Sequence, residues 1–207
     1  LLIVVVSAAM HEALILASGS ATRAKVLRDA GLTIFTARPL IDEDAIKAGL
    51  RTEGLSPRDQ ADALSEVKAL SVSRKKSGFV IGADQMLALG SDVFDKPKDR
   101  DEARASLQAL RGKTHTLLTA AVIAKDGAVI ARFMDTPQIT MREFSDPFLE
   151  TYLDEIGDAA LTSVGAYQIE GRGVQLFSRV DGDYFSILGL PLLQILAFLR
   201  DHGLAGR

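Results

Sequence analysis

Short apolar runs broken by small polar residues open the readable part of the chain, and longer helical periods follow. Ala13 to Ala17 is an apolar run closed by Ser18-Gly19-Ser20, the pattern of a strand ending in a tight polar turn. Thr22 to Ala30 then places Val26, Leu27 and Ala30 at helical spacing, and Gly31 stops it. Thr33 to Ala37 is strand-like, and Ile41-Asp42-Glu43-Asp44 is an acidic turn or helix start. From Pro57 and Asp59, the residues Ala61, Leu64, Val67, Lys68 and Ser71 fall at helical spacings, and Gly78 ends the segment. Phe79 to Ala83 is a buried strand leading into Asp84. Met86 to Leu89 and Val93-Phe94 form a small hairpin around Gly90-Ser91-Asp92, and Asp99 or Asp101 caps a helix that runs through Leu110. His115 to Lys125 and Ala128 to Phe133 make a long hairpin around Asp126-Gly127. A strand over 139–144, a helix over 147–156, a strand over 174–180 and a helix over 190–204 with Pro191 at its start complete the pattern.

Strands and helices are mixed, and at least one hairpin is antiparallel. The order predicts a mixed α/β sheet flanked by helices, with central strands rising into a second lobe above a cleft. The 207 residues suit one domain over 11–207, without repeats or a linker. Residues 1–10, which include the run LLIVVV, read as an N-terminal extension. That run is too short to span a membrane and lacks the basic flank of a signal peptide, so a cytoplasmic protein is expected.

Composition narrows the chemistry. Twenty-four basic and 27 acidic residues give a net charge of −3, which argues against a general nucleic-acid binder but allows a local basic pocket. Cysteine is absent, which excludes disulfides, cysteine nucleophiles and thiolate metal sites. The three histidines, His11, His115 and His202, form no close ligand motif, so a metal would meet oxygen ligands and phosphate.

Four places carry candidate chemistry. In Ser18-Gly19-Ser20-Ala21-Thr22-Arg23 the small residues allow close backbone approach, and the helix N-terminus, the hydroxyls and the guanidinium suit phosphate. The turn is not a nucleotide P-loop, because GxxxxGK[ST] is absent, and a serine-capped helix start has the same pattern. In Gly82-Ala83-Asp84-Gln85 the carboxylate of Asp84 follows a strand, where it could hold a divalent ion or activate water; a turn aspartate looks alike. Lys96 in Asp95-Lys96-Pro97 and Lys68 on the long helix are candidate phosphate cations, or a solvated lysine and a stem along the core edge. The glycine-bearing stretch Gly165 to Gly173 offers Tyr167, Gln168 and Glu170 to a base or sugar, and Glu43 is a further metal or substrate contact. Each of these also fits ordinary turn architecture.

Taken together, these segments resemble the Maf family, the septum-formation-inhibitor-like nucleoside triphosphate pyrophosphatases. The resemblance runs from about Leu14 to Leu199: LASGSATR at 16–23, Asp42-Glu43, VKA at 67–69, GADQ at 82–85, DKP at 95–97, GAYQIEGRG at 165–173 and GDYFSILGLPL at 182–192. It implies the family's two-lobed fold, shared with ITPase-like enzymes, and hydrolysis of a nucleoside triphosphate between the α and β phosphates. It further implies a divalent cation, Mg²⁺ or Mn²⁺, and a homodimer; the net charge and the lack of an apolar run of membrane-spanning length lead to the expectation of no stable nucleic-acid partner and no membrane. Glu43, Lys68, Asp84 and Lys96 match the family's active-site glutamate, first lysine, catalytic aspartate and second lysine. The opening turn keeps Ser18, Ser20 and Arg23 but has Ala21 and Thr22 where the family usually has proline and a first arginine, so it holds one cation fewer.

The resemblance thus places catalysis on Asp84, Lys96, Lys68 and Arg23, substrate binding on Ser18, Ser20, Gln85 and Glu170, and the metal on Glu43 and Asp84. Gln85 and Glu170 stand where the pyrimidine-preferring branch, acting on dTTP, UTP and modified pyrimidine nucleotides, usually has threonine and glutamine. They resemble the branch acting on 7-methyl-GTP, although that branch often has serine at the position of Ala83. N7-methylation makes guanine cationic, so a carboxylate near it gains charge attraction. The alternatives are a pyrimidine-preferring pyrophosphatase and a non-catalytic nucleotide-binding regulator of cell division. A nucleic-acid-interacting protein is disfavoured by the net charge and by the lack of aromatic–basic interleaving.

Overall fold

The structure is a computed structural model that describes residues 12–206, so the extension expected over 1–10 lies outside the described residues. In chain order the elements are β1 (Leu14–Ala17), α1 (Ala21–Asp29), β2 (Phe35–Thr36), α2 (Glu43–Thr52), α3 (Pro57–Ser73), β3 (Phe79–Leu89) and β4 (Asp92–Phe94). They continue as α4 (Arg100–Leu110), β5 (Thr114–Lys125), β6 (Ala128–Asp135), β7 (Gln138–Met141), α5 (Asp146–Ile156), β8 (Phe177–Asp181), α6 (Tyr184–Ile187) and α7 (Leu192–Asp201). Short 3₁₀ turns fill most of the span from Gly157 to Leu176.

The strands form one mixed sheet in the order β2-β1-β3-β5-β7-β8, with β4 added to β3 and β6 to β5. The β1–β2 and β1–β3 pairs are parallel, and the remaining pairs are antiparallel. The mixed α/β sheet flanked by helices is therefore present as expected. Leu16, Leu27, Ile81, Ile123, Ile195 and Leu199 make one core where α1 and α7 meet the sheet. A second core gathers Leu107 and Leu110 of α4, Leu149 and Leu153 of α5, Ile139 of β7 and Leu176. Leu64 and Ala69 of α3 sit in smaller clusters against Met86, Ala120 and Val122. No described helix is long and apolar enough to cross a membrane.

Several elements differ from their sequence patterns. The strand expected to stop before Asp84 and the first arm of the small hairpin are one continuous strand, β3. The polar pair Asp84-Gln85 breaks the apolar run in sequence. The unbroken ladder to β5, from Phe79 opposite Lys125 to Ala88 opposite Thr116, holds the strand through that break. At 41–44, read as an acidic turn or helix start, the helix start is what forms: the Asp42 carboxylate accepts from the Ala45 N–H at 3.0 Å, and Glu43 and Asp44 favour the positive end of the helix dipole. Residues 184–187 are a short helix capped by Asp183. The last strand begins at Phe177, because Arg172 to Leu176 form a 3₁₀ turn. The strand expected over 139–144 ends at Met141, where the Arg142 N–H turns to the Leu176 carbonyl.

Candidate active site

The site begins at a gap in the sheet. One edge of β3 is paired along Phe79 to Gly82 by β1 and along Leu87 to Leu89 by β4. Residues 83–86 have no strand partner on that edge among the described residues. Arg23 fills part of the gap: its Nη1 donates to the Ala83 carbonyl at 3.0 Å and its Nε to the Gly189 carbonyl at 2.9 Å. Gly189 has φ +99°, and a Cβ there would lie 3.0 Å from Arg23 Nε, so glycine suits this position on both counts. Two donor nitrogens of Arg23 hold the backbone, which leaves Nη2 for a ligand. Burial lowers the Arg23 pKa, against the pull of Asp84 and Glu43, but a guanidinium stays charged.

Side chains alternate along β3, so Asp84 and Gln85 point to opposite faces. Asp84 meets α3. Lys68 Nζ donates to Asp84 Oδ1 at 2.6 Å, with the two side chains only 8% and 7% exposed. That reach depends on Gly82, where a Cβ would stand 2.2 Å from the Ser65 carbonyl oxygen and 2.5 Å from the Ala69 nitrogen. Glycine therefore lets α3 lie directly on β3 and brings Lys68, one turn beyond Ser65, to the carboxylate. Asp84 Oδ2 is buried and has no hydrogen-bond partner among the described residues.

Lys68 also holds Glu43 Oε2 at 2.9 Å, so one ammonium serves both carboxylates. Burial opposes ionisation of Glu43, but Lys68, Lys47 and Lys96 together outweigh it and hold that carboxyl below its ordinary range. Lys96 forms no ion pair among the described residues. Loss of hydration, with the positive charge of Arg23, lowers its pKa, while Glu43 and Asp84 pull the other way. At the α1 N-terminus, Ser20 Oγ accepts from the Arg23 N–H at 3.3 Å and Ser18 Oγ accepts from the Ser20 N–H at 3.1 Å. Both hydroxyl protons remain free to donate to a ligand oxygen.

The structure thus gathers Arg23, Glu43, Lys68, Asp84 and Lys96, with Ser18 and Ser20 on the turn from which Arg23 extends. Glu170 lies at the same turn, where its carboxylate accepts from Thr22 Oγ1 at 3.4 Å. Gln85 is committed to the other face of the sheet. Its amide nitrogen lies 2.8 Å from Thr119 Oγ1, 2.9 Å from the Ser186 carbonyl and 3.2 Å from the Ile187 carbonyl, tying β3 and β5 to α6. Two charged residues at the site escaped the sequence reading. Lys47 lies 3.5 Å from Glu43 and 3.3 Å from Asp95, and Arg51 lies 2.6 Å from Asp95. Their signal is the spacing of Glu43, Lys47 and Arg51, which repeats every four residues and marks one face of a helix. It was hidden because only the start of α2 is legible in the pattern.

Whether a divalent cation fits depends on free oxygens. Among the described residues no group of three or more His, Asp or Glu gathers as a complete ligand set. Asp84 Oδ2 and the Glu43 carboxylate nevertheless offer the one or two hard oxygens that Mg²⁺ takes from protein when phosphate and water supply the rest.

Comparison with known proteins identifies the family. The family model described as "Maf-like protein" matches residues 13–202. A nucleoside triphosphate pyrophosphatase of Caulobacter vibrioides is 51% identical over 91% of this chain and 94% of its own length. One from Hyphomonas neptunium is 51% identical over 92% and 96%. A 7-methyl-GTP pyrophosphatase of Brucella abortus is 49% identical over 92% and 96%.

Proposed function

The chain belongs to the Maf family, and from that premise we propose that it is a nucleoside triphosphate pyrophosphatase that releases pyrophosphate and a nucleoside monophosphate. The observation that carries this reading is the buried Oδ2 of Asp84, which has no partner among the described residues, beside Lys68 and with Arg23 and Lys96 close enough to feel its charge. In the reaction a water adds to the α-phosphorus and the α–β bridging P–O bond breaks, so that pyrophosphate leaves. Asp84 Oδ2 takes the proton of the attacking water. Lys68 holds Oδ1 and fixes the carboxylate in place. Lys96 and Arg23 Nη2 neutralise charge on the phosphoryl oxygens, and the Ser18 and Ser20 hydroxyls hold the polyphosphate. A divalent ion, Mg²⁺ or Mn²⁺, held by Asp84 and Glu43, supplies Lewis-acid withdrawal of charge when bound.

Two relatives of similar identity carry different substrate names, so the base is the finer question. We assign a preference for 7-methyl-GTP on the carboxylate of Glu170, whose charge suits a cationic base. The reading includes a cytoplasmic enzyme working as a homodimer, with the site in a cleft between two lobes.

The test is pyrophosphate release by the purified protein with Mg²⁺ or Mn²⁺, across canonical nucleotides, 7-methyl-GTP and modified pyrimidine nucleotides. Asp84→Asn is expected to lose more than tenfold in turnover with the fold intact; near-normal activity removes Asp84 from its role. Glu170→Gln is expected to lose more on 7-methyl-GTP than on GTP, and equal losses overturn the charge argument. Light scattering of the purified protein reads the dimer.

A further inference from the structure

Six charged side chains alternate in sign from the buried heart of the site to its surface: Asp84, Lys68, Glu43, Lys47, Asp95 and Arg51. Each touches the next, at 2.6, 2.9, 3.5, 3.3 and 2.6 Å in that order. The first two are buried side chains of β3 and α3, and the rest come from α2 and from the residue before Lys96. Helix α2, which carries Glu43, has no buried residue. Its apolar hold is limited to Ile46 and Leu50, partly buried against the cluster under α3. Ion pairs are therefore a large part of what sets its position.

Lys47 occupies the pivotal place in this series. Glu43 and Asp95 are both within ion-pair reach of its ammonium, so without it two carboxylates face each other across the gap between α2 and the Lys96 segment. Burial opposes the charge of Lys47, yet Asp95, Asp84 and Glu43 outweigh that and raise its pKa. Its side chain is 19% exposed, against 44% for Arg51 on the same helix face.

We propose that Lys47 is a positioning residue. It holds the Glu43 carboxylate against Lys68 and, through Asp95, fixes α2 relative to the loop that presents Lys96. Acting on alignment rather than on substrate contact, it governs turnover more than affinity. Its kinetic consequence rests on the pyrophosphatase reading; its effect on α2 does not.

The experiment compares Lys47→Gln, Lys47→Arg and the distant surface variant Arg100→Gln with the parent protein. In pyrophosphate release, Lys47→Gln is expected to lower kcat about tenfold with KM changed less than threefold. Lys47→Arg should restore kcat to within threefold, and Arg100→Gln should match the parent. A Lys47→Gln kcat within twofold of the parent overturns the proposal. So does a tenfold rise in KM at unchanged kcat, which marks a direct phosphate ligand. If the parent releases no pyrophosphate from any nucleotide, the pyrophosphatase reading fails and hydrogen exchange decides for Lys47. Amides of residues 43–52 are expected to exchange about threefold faster in Lys47→Gln, with those of 57–73 unchanged. Equal exchange in α2 overturns the proposal independently of activity.

Discussion

The α3–β3 seam and helix α2 both deliver charge to the same few ångströms, and they are held in place by different physics. At the seam, Gly82 removes the side chain that would keep α3 away, and close packing fixes Lys68 against Asp84 in a buried ion pair. On α2, Glu43, Lys47 and Arg51 reach across to partners that are mostly half-exposed, and no residue of the helix is buried. Close packing cannot yield by small amounts, so the seam presents Asp84 and Lys68 in one arrangement. Half-exposed ion pairs are weaker and screened by salt, so α2 is held less tightly than the seam and depends on its charges for its place. The difference teaches that the Lys68–Asp84 pair is preorganised by packing, while the Glu43 carboxylate is set by electrostatics.

The largest effect that breaks this comparison is expected from Lys68→Met. It leaves the Asp84 carboxylate buried without its cation, which should cost about 3 kcal/mol in urea unfolding and abolish turnover. A loss below about 1 kcal/mol would mean that the seam is no tighter than the surface pairs. Gly82→Ala comes next. Its methyl group collides with the α3 backbone, so a loss of about 2 kcal/mol is expected, together with a fall in kcat as Lys68 moves off with the helix. Wild-type stability and rate in this variant would show that α3 does not depend on the glycine.

Gln85→Ala tests the opposite face of the same strand. It strips the amide that ties β3 to the Ser186 and Ile187 carbonyls and should cost about 1–2 kcal/mol by thermal melting. A neutral result would leave α6 held by packing and by the Thr119 hydroxyl, which donates to the Ser186 carbonyl at 2.8 Å.

A smaller effect is read in pH. Lys96 has a lowered pKa, so it loses its charge at a lower pH than an ordinary lysine. KM for the nucleotide should therefore rise severalfold on the alkaline side before the usual lysine range, and Lys96→Arg should move that rise to higher pH. A KM profile identical in the two proteins would detach Lys96 from substrate binding. The smallest effect is expected from Arg51→Ala, which removes only an exposed pair and should change stability by less than about 1 kcal/mol. A loss comparable to that of Lys68→Met would erase the contrast between the two regions.

Much of this was legible in the residues. The strand–turn–helix at Leu14 to Asp29, the Asp126-Gly127 hairpin and the helix stopped at Gly157 appear where the periodicity and turn chemistry put them. The short motifs likewise name Arg23, Glu43, Lys68, Asp84 and Lys96, which the fold brings together. Less legible was anything that depends on neighbours distant in the chain. β3 runs through the polar pair Asp84-Gln85 only because β5 pairs with it on both sides of the break. Gln85 turns toward Thr119 and α6 because strand geometry sends it away from Asp84, a choice that residue type does not encode. Lys47 carries no motif, and its importance appears only when α2 is laid beside Asp95.

The sequence by itself determined the local order of strands, caps and turns, the family and the set of residues that carry charge into the site. Those follow from side-chain periodicity, from backbone preferences and from short motifs, which act over a few residues. Tertiary structure alone decided that the sheet leaves a gap at 83–86 that Arg23 partly fills, that Gly82 admits α3 onto the face of β3, and that six charges line up in alternating sign from Asp84 to Arg51. Those depend on distances between segments far apart in the chain, which packing sets and no local pattern records.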